Sequence, residues 1–254
     1  MIKWSANLGF LWADRSLPDA IAAAHQAGFD AVECHWPYDY DPQIIADTLS
    51  QTGLPMLGLN TRRGDVSKGE NGIAALPGRE DEARRLIDEA LTYAEQIDCR
   101  NIHVMAGITE QSQAAEQTFQ SNLSYAAQQA QQAGRTILIE PLNHRDVQSY
   151  HLQSVEAAAR TIDAVGSDRV KIMFDFYHIQ ILQGDLLNRF KSYLPYIGHV
   201  QIAGVPQRAE PDRGEVNYPA LLPAIYEAGY TGYVGAEYKP VSDTDSGLGW
   251  RSAY

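Results

Sequence analysis

With 254 residues, 44% of them hydrophobic and 20% charged, the chain has the make-up of a folded globular protein able to bury a sizeable core. Its formal net charge of −12 argues against attraction to nucleic-acid phosphates or to an anionic membrane surface. Residues 1–30 lack a basic start followed by an apolar segment, and no later run approaches the roughly 20 apolar residues of a membrane span, so the expectation is a cytoplasmic protein with no nucleic-acid and no membrane partner.

Residues 2–8 read as a first strand, followed by a helix over 17–27 with Ser16 as cap, Pro18 in its first turn and Gly28 as its stop. A second strand over 29–34, a helix over 43–51 and a third strand over 54–60 continue a βαβαβ rhythm. The connection 61–78 is rich in glycine and charge and longer than an ordinary βα loop, which marks it as a functional flap. There follow a helix over 79–97, a strand over 101–105, a helix over 111–133 ended by Gly134, and a strand over 135–140. After the long loop 141–152 come a helix over 154–165, a strand over 170–175, a helix over 186–193 and a strand over 197–201. The loop 202–217, a helix over 219–228 and a strand over 232–237 complete eight strand signals alternating with helices. The polar, glycine-bearing tail 238–254 leaves the eighth helix short or missing. No linker composition marks a boundary, so the expected fold class is α/β, a single (β/α)8 TIM barrel over residues 1–254. Cys34 and Cys99, without metal-ligand spacing, read as two free thiols.

Four of the later strands share one grammar. Each is an apolar run that closes on an oxygen-bearing side chain: Glu140, Asp175, Gln201 and Glu237, separated by 35, 26 and 36 residues, about one strand-plus-helix unit each. Proline follows Glu140 and stops its strand there. In a parallel barrel these ends would point four hard oxygen donors into one mouth, a set suited to a divalent metal, Mg²⁺ or Mn²⁺ before zinc. Any one of the acids could instead cap a helix or form a surface ion pair; four at equivalent strand ends fit that bland alternative poorly.

A divalent ion beside two glutamates would acidify the α-proton of an α-hydroxy carbonyl compound, with Glu140 and Glu237 as the catalytic pair that takes and returns it. His178, three residues after Asp175, is a candidate to hold a substrate oxygen, against a structural role for a buried histidine. Arg208, seven residues after Gln201, is a candidate partner for a substrate carboxylate, weighed evenly against a solvated surface charge. Lys239 is the reserve cation. His103, Asn60 and Glu33 lie near other strand ends, where a structural role is the simpler reading, and the Trp36–Tyr40 run either covers the mouth or packs a loop. No catalytic Ser/Cys–His–Asp spacing, dinucleotide fingerprint or P-loop occurs.

The stretches Glu140-Pro-Leu-Asn-His-Arg-Asp146, Asp175-Phe-Tyr-His178, His199-Val-Gln-Ile-Ala203, Arg208-x-Glu-Pro-x-x-Gly-Glu215 and Glu237-Tyr-Lys-Pro240 resemble the hydroxypyruvate isomerase family. So do Ala6-Asn-Leu8, Pro37-Tyr-Asp-Tyr40, Ala75-Leu-Pro-Gly-Arg-Glu80 and Gly247-Leu-Gly-Trp250, and together they span essentially the whole chain. The family belongs to the xylose-isomerase-like barrels. The resemblance implies a metal on the residues matching Glu140, Asp175, Gln201 and Glu237, with the two glutamates moving the proton. Ketose 3-epimerases of the same superfamily have histidine where Gln201 stands, a departure that favours the isomerase branch, whose members act on hydroxypyruvate or on 2-oxo-tetronates. The expected partner is therefore a small hydroxy-oxo acid, and a homo-oligomer is expected by analogy alone. A ketose 3-epimerase, a non-catalytic sugar-acid binding protein and a barrel nuclease are the alternatives. The paired glutamates count against the second and the acidic charge against the third.

Overall fold

A computed structural model describes residues 2–254. Eight strands, β1 (Trp4–Asn7), β2 (Ala31–Glu33), β3 (Gly58–Asn60), β4 (Asn101–His103), β5 (Thr136–Ile139), β6 (Val170–Asp175), β7 (Ile197–Ile202) and β8 (Val234–Ala236), pair in parallel in the order β2-β1-β8-β7-β6-β5-β4-β3. The ends of that sheet meet. Val32 bridges Met56 in parallel, and Leu57 N–H donates to Val32 O at 2.7 Å while Cys34 N–H donates to Gly58 O at 3.0 Å, which brings the two ends of the sheet together into a nearly closed barrel.

Helices α1 (Leu17–Gln26), α2 (Pro42–Thr52), α3 (Glu80–Gln96), α4 (Gln113–Ala133) and α5 (Val155–Val165) separate the first six strands, and α6 (Phe176–Leu182), α7 (Leu186–Tyr193) and α8 (Tyr218–Glu227) the last three. Their ends follow from local chemistry. Ser16, Ser112 and Ser154 each accept a backbone N–H of the first turn of α1, α4 and α5, and Gly134 and Gly166 end α4 and α5 in the left-handed conformation that a Cβ disfavours. Helix α6 went unread in the sequence because its cap is Asp175 itself: one carboxylate oxygen accepts the Tyr177 N–H at 2.8 Å, so the strand end and the helix start share a residue.

The eighth helix is short, as its polar sequence suggests. A four-residue α9 (Thr244–Gly247) runs into a 3-10 turn over Leu248–Ala253, and Trp250 packs edge-on against Trp4 at 4.9 Å and donates to Tyr238 Oη at 3.1 Å. Between the barrel and its surrounding helices, β-branched residues such as Val32, Ile102, Ile137, Ile172, Val200 and Val234, which alternate with the side chains that face the barrel axis, are buried in one continuous core. Both cysteines are free and buried. Among the described residues, no helix is long and apolar enough to cross a membrane.

Candidate active site

The C-terminal ends of the strands open into a cavity of about 440 Å³, lined among others by Phe10, His35, Trp36, Asn60, His103, Glu140, His178, Arg208, Glu237 and Lys239. Glu140 and Glu237 stand one residue beyond β5 and β8, Asp175 ends β6, and Gln201 is the penultimate residue of β7, paired in register with Asp175. Adjacent parallel strands thus bring side chains far apart in sequence to the same height. All four are buried.

Ligand atoms of Glu140, Asp175, His178 and Glu237 lie within 4.8 Å of one another, a set able to hold a metal ion. Glu140 Oε1, Asp175 Oδ2, His178 Nε2 and Gln201 Oε1 are buried without a hydrogen-bond partner. Buried polar atoms left without a partner cost about 1–3 kcal/mol each unless something completes them. Three carboxylates face one guanidinium, that of Arg208, which leaves two negative charges uncompensated. Buried charges without a counter-ion shift their pKa instead: burial and the charges of Glu237 and Asp175 push Glu140 well up, and burial and Glu237 push Asp175 up to about 8. A divalent cation fits both the missing charge and the orphaned oxygens.

His178 and Gln201 compete for the fourth place in that set, and hydrogen bonding separates them. The backbone N–H of Asn143 donates to His178 Nδ1 at 3.0 Å. In the neutral ring, which burial favours by pulling the pKa down, Nε2 then carries the hydrogen and is a donor, 3.8 Å from Glu140 Oε1 and 3.7 Å from Asp175 Oδ2. Gln201 commits its nitrogen elsewhere: Nε2 donates to Glu33 Oε2 at 2.7 Å, leaving Oε1 as the free acceptor. The amide oxygen, rather than the ring, is the available lone pair.

Glu237 sits in a different field from Glu140. Its Oε1 accepts from Asn7 Nδ2 at 2.9 Å and lies 3.0 Å from His35 Nε2, while Arg208 Nη2 donates to Oε2 at 2.6 Å. Burial alone would raise it, but Arg208 and His35 outweigh burial and bring the carboxyl down to about 2. Arg208 also donates to Asp146 Oδ2 at 3.1 Å and lies between the rings of Phe10 and Tyr177, 4.8 and 5.0 Å from their centroids, with a left-handed φ of 56°. The arginine expected from sequence to receive a substrate carboxylate is thus already engaged by two acids. Lys239 is exposed on the rim, 5.8 Å over Phe10, and Arg145 joins it there; neither forms an ion pair among the described residues.

Of the residues set aside as structural in the sequence, His103 and Asn60 line the cavity, and burial holds the His103 pKa down to about 4. Trp36 supplies aromatic wall, with Arg63 stacked on its far side at 4.1 Å. Sequence reasoning missed His35, Asn7, Phe10, Arg145 and Asp146. His35 and Asn7 sit at the ends of β2 and β1, where the same strand-end logic would have found them; Phe10 and Asp146 come from loops whose folding no periodicity reports.

A family model described as "Xylose isomerase-like TIM barrel" matches residues 21–254. A 2-oxo-tetronate isomerase of Cupriavidus necator is 41% identical, covering 100% of this chain and 99% of its own. A hydroxypyruvate isomerase of Escherichia coli is 38% identical over 100% of both chains. The crystal structure titled "AP endonuclease, family 2" from Brucella melitensis, 41% identical, superposes with a TM-score of 0.97 over 100% of this chain and 99% of that one.

Proposed function

The chain belongs to the xylose isomerase-like TIM barrel family, and on that footing we propose that it is an isomerase of the aldose–ketose type acting on a small hydroxy-oxo acid, with hydroxypyruvate and tartronate semialdehyde as the interconverted pair. The observation that carries this reading is the convergence of Glu140, Asp175, Gln201 and Glu237, three of them with an orphaned buried oxygen, at four neighbouring strand ends. These four residues would hold a divalent metal, Mg²⁺ or Mn²⁺ by the hardness of an all-oxygen donor set. When bound, such an ion polarises the substrate carbonyl and so acidifies the neighbouring carbon.

The protein's own residues do the rest. Glu237, kept ionised by Arg208 and His35, takes the proton from the hydroxyl-bearing carbon, and the electron pair forms the carbon–carbon double bond of an enediol. Glu140 delivers a proton to the former carbonyl carbon, while the hydroxyl hydrogen passes from one substrate oxygen to the other. The roles of the two glutamates reverse in the opposite direction. His178, with its hydrogen on Nε2, donates to a substrate oxygen; Lys239, without an acidic partner among the described residues, attracts the substrate carboxylate. Arg208 takes part only by adding its charge to the same mouth, since its guanidinium is held by Glu237 and Asp146.

A second reading, a 2-oxo-tetronate substrate, is favoured by the 41% identical relative of that name, and a cavity of about 440 Å³ admits a fourth carbon. The test of the common chemistry is the pair Glu140→Gln and Glu237→Gln. Each, folded and supplied with Mn²⁺, should lose about 10²–10⁴ in kcat. Normal turnover by either would sink the two-glutamate mechanism.

A further inference from the structure

Glu33 is a buried carboxylate, 4% exposed, that the proposed chemistry does not use. Its two oxygens face three donors: Ser5 Oγ at 2.6 Å, His199 Nε2, shared between them at 3.1 and 3.2 Å, and Gln201 Nε2 at 2.7 Å. The sequence around it makes room for this. Residue 235, beside Gln201 in register, is a glycine with no positive φ to require one; a Cβ there would overlap Glu33 Oε1 and come within 2.9 Å of Gln201 Cγ. Strands β1, β2, β7 and β8 therefore all shape a cradle for one Glu–Gln pair.

A glutamine amide is nearly symmetric in shape, with an acceptor at one end and a two-hydrogen donor at the other. Left free beside a cation, it could present either end. An ionised carboxylate only accepts, so contact with Glu33 selects the amide nitrogen and penalises the flipped form, which would set oxygen against oxygen.

We propose that Glu33 is a positioning residue that fixes the Gln201 amide with its oxygen toward the metal cluster, itself held by Ser5 and His199. The proposal rests on the metal reading of the site. An amide at this position becomes a dependable ligand only because the charge behind it decides its orientation, and outer-shell partners of this kind typically change metal affinity 10–100-fold.

The experiment is a Mn²⁺ titration of the full-length metal-stripped protein, reading free Mn²⁺ by electron paramagnetic resonance, with circular dichroism to confirm folding. Glu33→Gln, which can either accept from the Gln201 nitrogen or donate to its oxygen and so no longer selects one orientation of the amide, should weaken Mn²⁺ binding about 10–100-fold. The exchanged pair, Glu33→Gln with Gln201→Glu, keeps the charge, the volume and one donor facing one acceptor, so it should fold and should bind Mn²⁺ at least tenfold tighter than Glu33→Gln alone. A Glu33→Gln protein that binds like the wild type, or an exchanged pair that binds no better than the single variant, would overturn the positioning role. No binding by the wild-type protein would instead overturn the metal reading, and this inference with it.

Discussion

Replacing Asp175 by Asn separates the stability of the site from its use. In the unfolded chain the Asp175 carboxyl ionises near 3.8, whereas burial and Glu237 hold it neutral in the folded, metal-free protein up to about 8. Between those values unfolding releases a proton, so the folded state loses stability as pH rises, by about 1.4 kcal/mol per unit for a single site. The loss is absent below pH 3.8 and would reach about 4 kcal/mol at pH 7 if Asp175 alone carried the shift. Glu140 competes for the same relief, so the protonation is shared, and removing one carboxylate should return between about 1 and 4 kcal/mol at neutral pH. Asparagine keeps an oxygen to accept the Tyr177 N–H and so preserves the cap of α6. Thermal unfolding of chelator-treated protein is the assay, at about 2–4 °C per kcal/mol for a chain of this size. Asp175→Asn should melt above the wild type at pH 7, with the gap closing toward pH 4, and Mn²⁺ should raise the melting temperature of the wild type far more than that of the variant. A variant less stable at pH 7, or a gap that does not change with pH, would refute the reasoning.

Lys239→Ala should raise KM for an oxo-acid substrate roughly five- to tenfold with kcat little changed, because a rim charge attracts the carboxylate without touching the reacting carbons; an unchanged KM would remove Lys239 from the site. Trp250→Ala should cost about 3–5 kcal/mol, the usual penalty for emptying a buried aromatic position, since Trp250 covers Trp4 and Tyr238 where a full eighth helix is missing. Denaturant unfolding would show it as a lowered midpoint, and an unchanged midpoint would mean that the tail contributes nothing to the core.

The barrel was legible because its signals are local. Apolar runs of strand length, serine caps before helices and glycines after them each report on a few neighbouring residues, and eight repeats of that pattern leave little topological choice. The four oxygen donors were legible for the same reason, each marked by its place at a strand end. What escaped was whatever depends on contacts across the barrel. Arg208 reads as a free cation in sequence, yet Asp146, 62 residues away, and Glu237, 29 residues away, bind it. Glu33 reads as one more strand-end acid, and only the closure of β2 onto β1, with β7 behind it, reveals that it faces Gln201 and His199. Helix α6 was hidden by its shortness and by a capping residue that doubles as a strand terminus.

Proton NMR in D₂O tests the central claim most directly. The Mn²⁺-loaded protein is incubated in turn with hydroxypyruvate, a 2-oxo-tetronate and a ketohexose, and the metal is removed before spectra are taken. An isomerase of the proposed kind consumes an oxo acid, gives an aldehyde-derived signal and leaves the hexose alone, and both Glu140→Gln and Glu237→Gln abolish the change. Epimerisation of the hexose with both oxo acids untouched, or no reaction and no exchange of carbon-bound hydrogen with any of the three, would contradict it.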